Sequence, residues 1–398
     1  ALAGGRVSPA PRDKQVRWDD ASMWRFPGTR WAFSHFHELV PTATIRRAGP
    51  VAPLPRALRS DLDAVPWTTL DGRTLTWGAA FDTNFTDGII VLHRGQLVYE
   101  RTGGAYAADG AHIAFSVTKS FVGTLVLLLA HEGRLDLART AERYVPELAG
   151  SALGNATLAQ IMAMRTDMQF SEDYVPAQTG LSDVTRMGIA MASVPRQPDY
   201  AGPDGSHAFV ASIAPAGPHG GNFVYRTPNT QALAWVLERV SGQSLARLIQ
   251  DRIWAPMGMA HDAQLQVDRH GTGFGGGGLV ANLEDMARFG EMIRLGGRWQ
   301  GRQVLPAEVV QAIRTPGDPA AFAHTQYPAM AGGSYANQWW HRASGQVMAM
   351  GIHGQAIYID PAAEMVIARF GSHPTASNRG INPTTVPAYD AIAAALNK

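Results

Sequence analysis

The chain has no cysteine among its 398 residues, which removes disulfides, thiolate metal sites and a cysteine nucleophile together. It also has little net charge, with 34 Lys and Arg against 33 Asp and Glu. No basic run exceeds a few residues, so neither nucleic acid nor an anionic membrane is the expected partner. Long apolar runs are missing as well. The longest candidate, Phe121 to Ala130, is ten residues and follows a lysine, whereas a membrane span needs ~20. It reads as a buried helix. Lysine itself is scarce: only Lys14, Lys119 and Lys398 occur, and the other 31 basic residues are arginine.

What remains is an ordinary globular balance, 45% apolar and 17% charged, in a chain long enough for two lobes of ~150–200 residues. It starts Ala-Leu-Ala rather than Met, which is compatible with a cytoplasmic and with an exported protein. Residues 1 to about 75 are rich in Pro, Arg and Trp without clear periodicity and read as an irregular segment wrapped on a core. Gly88 to Arg101 gives two β-rich runs around Arg94-Gly95-Gln96, a hairpin signal. Ser116 to Gly133 reads as a helix, and Thr230–Val240 and Leu283–Leu295 are amphipathic helices. Strands return at Gln346–Ile352, Ala356–Ile359 and Met365–Phe370, before a last helix near Ala388–Leu396. Strands at both ends and helices between them imply an α/β domain from 1–135 and 300–398. A mostly helical domain, 136–299, is inserted, and a cleft is expected where the two meet.

Lys119 stands out in this arginine-rich chain. It lies among apolar neighbours in Ile113-Ala114-Phe115-Ser116-Val117-Thr118-Lys119-Ser120-Phe121-Val122. Arginine is not deprotonated in a protein, whereas a desolvated lysine readily is, so a general base here has to be Lys. Residues three apart share a helix face, which puts Ser116 within reach of Lys119. A serine hydroxyl becomes a nucleophile only when an adjacent base takes its proton, and the helix start offers free N–H groups to a developing oxyanion. A surface Lys is the alternative. Further on, Phe223-Val224-Tyr225-Arg226-Thr227-Pro228-Asn229 leads into a helix and offers Tyr225 as a proton shuttle; the plain alternative is a half-buried loop Tyr with Asn229 as helix cap. Late in the chain, Ala349-Met350-Gly351-Ile352-His353-Gly354-Gln355 reads as a strand running into a tight turn, where a strand N–H is a second oxyanion donor.

These three pieces resemble the serine β-lactamase and penicillin-binding superfamily. The likeness is strongest to its branch of 6-aminohexanoate-dimer (nylon-oligomer) hydrolases and related carboxylesterases. The closer likeness is carried by Arg30–His35, Tyr144–Gly150, Glu172-Asp173-Tyr174-Val175, Thr272–Gly275, Gln338-Trp339-Trp340 and Gly351–Gln355. The resemblance implies a β-lactamase-like antiparallel sheet flanked by helices, and a serine hydrolase that cleaves small linear amides or esters. It implies Ser116 as the acylated nucleophile, Lys119 as base, Tyr225 as proton relay, and the N–H groups of Ser116 and Ile352 as the oxyanion hole. Tyr174 is implied as a substrate contact, with Asp183 the candidate to bind a substrate amine. Gly276 stands where the branch has a substrate-contacting Asn. No cofactor is implied, the location implied is cytoplasmic, and a homodimer fits the branch.

Two departures narrow this. Ala349-Met350-Gly351 replaces the Lys-Thr-Gly that penicillin-recognising enzymes use for a β-lactam carboxylate, although His353 is nearby. Hydrolysis of a β-lactam or a D,D-peptide is therefore the alternative reading, and a non-catalytic ligand-binding homologue is a third. Trp339 and Trp340 are expected to line the substrate pocket. His35-Phe36-His37-Glu38 lacks a partner carboxylate cluster and is not read as a metal site. Gly273 to Gly278 lacks the flanking residues of a phosphate loop and reads as a flexible cleft loop. Met162, Met164 and Met168 read as core.

Overall fold

A computed structural model describes residues 15–174 and 180–398. Lys14, Val175 and the Ala-Leu-Ala start lie outside the described residues. The hairpin at Arg94–Gln96 forms, with Thr86–His93 pairing antiparallel with Gln96–Thr102. The three late strands form as Val347–Gly351, Gln355–Asp360 and Met365–Gly371. Met365–Gly371 pairs with Thr86–His93, so the two ends of the chain close one seven-stranded antiparallel sheet. Ser334–Ala336 and Trp339–His341 extend it beyond Val347–Gly351.

These strands read as nearly continuous apolar runs because both faces of the sheet are buried. Successive side chains alternate between two cores: Ile90, Leu92, Val366 and Ala368 enter one, Ile89, Val91, Met365 and Ile367 the other. The first face carries the helices Val117–His131 and Leu283–Arg294; the second carries the final helix, Val386–Leu396.

Two parts of the architecture differ from the expectation. The segment before residue 75 is not simply irregular: Thr42–Ile45 pairs with Ala263–Gln266 in a four-stranded sheet that also holds Leu279–Ala281 and His112–Ile113. The helix Leu283–Arg294, which the sequence assigns to the inserted helical part, packs on the large sheet instead. Gly290 makes this possible. A Cβ there would lie 2.7 Å from Val366 Cγ1 and 2.8 Å from Ile357 Cγ2, so only glycine lets the helix backbone approach the strands so closely. Residues 136–299 therefore contribute strands and a sheet-covering helix as well as their own helices. Among the described residues no helix is long and apolar enough to cross a membrane.

Candidate active site

The turn before the helix Val117–His131 is fixed from three sides. Phe115 adopts the left-handed region at φ 45°, a conformation that costs a non-glycine residue about 1–3 kcal/mol. Its ring is gripped by the N-terminal segment, with Phe33 at 4.9 Å, Trp24 at 5.9 Å and Phe36 at 6.1 Å between centroids. Thr118 Oγ1 donates to the Phe115 carbonyl at 2.6 Å and accepts from the Leu279 N–H at 3.0 Å. Ser116 follows as the residue that precedes the helix, with the side chain of Lys119 one turn later on the same face.

Lys119 is 1% exposed. Its Nζ lies 2.8 Å from Ser116 Oγ and donates to the Gly276 carbonyl at 2.6 Å. Burial pulls the ammonium down from its usual range to about 7, opposed in part by the carboxylate of Glu172. At neutral pH a substantial fraction is the free amine, the form that has a lone pair for the serine proton. The Tyr225 ring centroid is 5.0 Å from Lys119 Nζ, and its phenol interacts electrostatically with the Ser116 hydroxyl. Burial pushes its phenol well above the ordinary value, so it is a proton donor at neutral pH. Trp340 stacks on the Tyr225 ring at 5.4 Å and fixes its plane. Asn229 does not cap the following helix, Thr227–Ser241: Arg226 takes that position, and Asn229 accepts from Thr166 at 2.7 Å.

Ser116, Tyr174, Gly276, Ile352 and His353 all line one cavity of about 380 Å³. The Gly273–Gly278 loop beside it is firmly held. Gln231 donates to the Gly273 carbonyl and accepts from the Gly275 N–H, and Gly277 joins Gly276 in the cavity wall. His353 Nδ1 lies 2.6 Å from the His373 carbonyl, and burial lowers its pKa to about 4. It is therefore neutral at pH 7 and does not replace the cation missing from Ala349-Met350-Gly351.

Two sequence-derived site residues are elsewhere. Trp339 is fully buried and stacks on Phe289 at 6.1 Å, because strand alternation sends it to the core side and Trp340 to the Tyr225 side. Asp183 does not line the cavity: its Oδ2 accepts the Ser171 N–H at 2.9 Å, while its neighbours Val184 and Thr185 reach the wall.

One further residue belongs to the site. Glu172 accepts from the Tyr174 hydroxyl at 2.7 Å, from the Thr227 N–H at 2.8 Å and from Thr227 Oγ1 at 2.6 Å. It joins Tyr174 to the start of the helix Thr227–Ser241, where an acid is favoured by the helix dipole. In the sequence it is visible only as one letter of Glu172-Asp173-Tyr174.

Size alone does not locate this site. A cavity of about 740 Å³ is lined by Ser34, His35, His37, Glu38 and Arg47 among others, and holds none of Ser116, Lys119 and Tyr225. Among the described residues no group of three or more His, Asp or Glu is placed to hold a metal ion. Buried perturbed groups that converge on one serine hydroxyl are the stronger guide.

A large antiparallel sheet covered by helices on both faces, with a buried Ser-x-x-Lys turn beside a cavity, has the fold of the beta-lactamase-like hydrolases. Residues 84–385 match the Beta-lactamase family. The 6-aminohexanoate-dimer hydrolase of Paenarthrobacter ureafaciens is 32% identical over 365 residues, 91% of this chain and 88% of that one. A solved structure of a candidate 6-aminohexanoate-dimer hydrolase from Bacillus anthracis has TM-score 0.86 and 31% identity, covering 97% of this chain and 98% of the other. A penicillin-binding protein homologue from Caulobacter crescentus shares the fold at TM-score 0.58 and 15% identity, covering 86% and 99%. The chain belongs to the beta-lactamase family of hydrolases.

Proposed function

We propose that this chain is a serine hydrolase that cleaves small linear amides or esters through an acyl-enzyme on Ser116. The observation that carries the reading is the buried Lys119 amine, 2.8 Å from Ser116 Oγ and drawn down to about 7. Lys119 takes the hydroxyl proton as Oγ attacks the carbonyl carbon. The N–H groups of Ser116 and Ile352 stabilise the oxyanion. Ser116 and Ile352 both line the cavity, which supports pairing their N–H groups in this role. Tyr225 passes its proton to the departing amine or alkoxide and is reprotonated from the Lys119 ammonium. Water then attacks the acyl ester under the same base, returning Ser116.

The likeness to 6-aminohexanoate-dimer hydrolase supports a linear substrate with an amide or ester bond. The neutral His353 and the Ala349-Met350 sequence weigh against efficient capture of a β-lactam carboxylate, and a chromogenic cephalosporin is expected to turn over slowly if at all. The decisive experiment is labelling with a fluorophosphonate, followed by peptide mass mapping and assay of Ser116→Ala. Label on Ser116 and loss of turnover in the variant are expected. Label on another residue, with turnover intact in the variant, rejects the reading.

A further inference from the structure

Two cavities meet at Tyr174, and they differ in charge. The one with Ser116 is walled by Trp24, Phe115, Val184, Met187, Met191 and Phe274. Among the described residues, no Asp, Glu, Lys or Arg lines it. Its ionisable members are both neutral at pH 7, since burial raises Tyr174 and lowers His353. The other cavity, about 690 Å³, is lined by Tyr225 together with Glu172, Asp173, Arg226 and Arg379. Tyr225 has to hand its proton to the leaving atom, so the leaving half of a substrate lies in the charged cavity. The acyl half then lies in the uncharged one.

The carboxylate expected to receive an acyl-chain ammonium is committed elsewhere. Asp183 accepts the Ser171 N–H, and Arg186 lies 3.9 Å from its other oxygen. Thr185, two residues on, reaches the cavity wall instead. The carboxylate of Glu172 is held by Tyr174 and Thr227 and faces the other cavity. A cation at the end of the acyl chain would leave water without a counter-charge, which is strongly unfavourable. A chain that stays apolar to its end gains roughly 0.8 kcal/mol per buried methylene.

We propose that the cavity beside Ser116 is an acyl pocket for groups that are apolar to their far end, and that it selects against acyl chains ending in a cation. This rests on the acyl-enzyme reading above. The test compares two 4-nitrophenyl esters of the same shape that differ in charge alone, 7,7-dimethyloctanoate and 6-(trimethylammonio)hexanoate. The wild-type protein is expected to favour the neutral ester in kcat/KM by about tenfold or more. Thr185→Asp is expected to narrow that ratio by about fivefold or more. The acid would stand in the first turn after the Ser182 cap, a position that favours it, and a ratio does not depend on how much protein folds. Equal rates, or preference for the cation, with turnover still dependent on Ser116, overturn the pocket assignment alone. A neutral-ester preference that Thr185→Asp leaves unchanged also overturns it. Turnover that survives Ser116→Ala removes the acyl-enzyme reading beneath it, and hydrolysis of neither ester overturns both.

Discussion

The carbonyl oxygen of Gly276 lies 2.6 Å from Lys119 Nζ, closer than the 2.8 Å between that nitrogen and Ser116 Oγ. A neutral amine has two hydrogens and one lone pair. With one hydrogen held by Gly276, the amine keeps its lone pair for the serine hydroxyl. The same carbonyl also stabilises the ammonium that forms when the proton arrives. A glycine in a loop thus orients an amine contributed by a helix.

The first prediction concerns pH. Only the free amine accepts the Ser116 proton, so kcat/KM should rise with pH along a limb centred near 7, the value to which burial draws Lys119. Lys119→Arg should lose about 10²–10⁴-fold at every pH, because a guanidinium stays protonated. A limb centred above 9, or an arginine variant of near-normal activity, would contradict the assignment of the base.

Gly276 gives the second prediction. A Cβ at this position would meet Thr227 Cγ2 at 2.4 Å and Phe274 Cε2 at 2.8 Å, so a side chain forces the loop outward and takes the carbonyl with it. Gly276→Ala should lower kcat by about 100-fold through misplacement of Lys119, and cost ~1–3 kcal/mol in urea unfolding. An Asn has no room here either without movement of Thr227. Unchanged kcat in the alanine variant would show that the Gly276 contact is dispensable.

Glu172 supplies the third. Its charge favours the Lys119 ammonium, against the larger effect of burial. Glu172→Gln removes that charge, so Lys119 should deprotonate more readily and the acid limb of the pH profile should move to lower pH. The amide keeps one acceptor oxygen for its three present donors and replaces the other oxygen with an NH2 that cannot accept. Stability should therefore fall by ~0.5–2 kcal/mol, the range for a lost helix-start contact. A purely structural role would lower stability and leave the midpoint of the pH profile where it is. An unmoved midpoint, with activity otherwise retained, would remove Glu172 from the electrostatics of the site.

How far the sequence reveals this arrangement depends on the range of the interaction. Ser116 and Lys119 are one helical turn apart, and the scarcity of lysine marks the second of them, so local spacing suffices to pair them. The hairpin and the late strands are legible because their apolar runs are uninterrupted. Glu172 is not legible from spacing: it meets Thr227, 55 positions further along the chain, and a lone acid before a tyrosine has no local signature. Trp339 and Trp340 look equivalent in the sequence, yet strand alternation sends one to the core and the other against Tyr225. Thr42–Ile45 is hidden by its Pro-rich surroundings, and only its partner Ala263–Gln266 makes it a strand. Asp183 shows the reverse error: the right residue type close to the expected position is already bonded to Ser171.

The last prediction follows from what it costs to bury a base. Lys119 holds its proton up to about 7 in the folded protein and to near 10.5 in the unfolded chain. Between these values the unfolded state binds more protons, so the contribution of this group to stability rises with pH from about 7 to 10.5 and is least favourable below that window. Methionine has similar length and no charge to desolvate. Lys119→Met leaves the Gly276 carbonyl without its donor, a loss of ~1–3 kcal/mol, but it removes a larger penalty at low pH. The variant should be inactive, yet more stable than wild type by ~1–3 kcal/mol at pH 6. That advantage should shrink or reverse by pH 10. Urea unfolding at the two pH values measures it. A variant less stable than wild type at pH 6, or a difference that does not change with pH, would mean that Lys119 is not desolvated in solution, and the argument for a neutral amine beside Ser116 would fall with it.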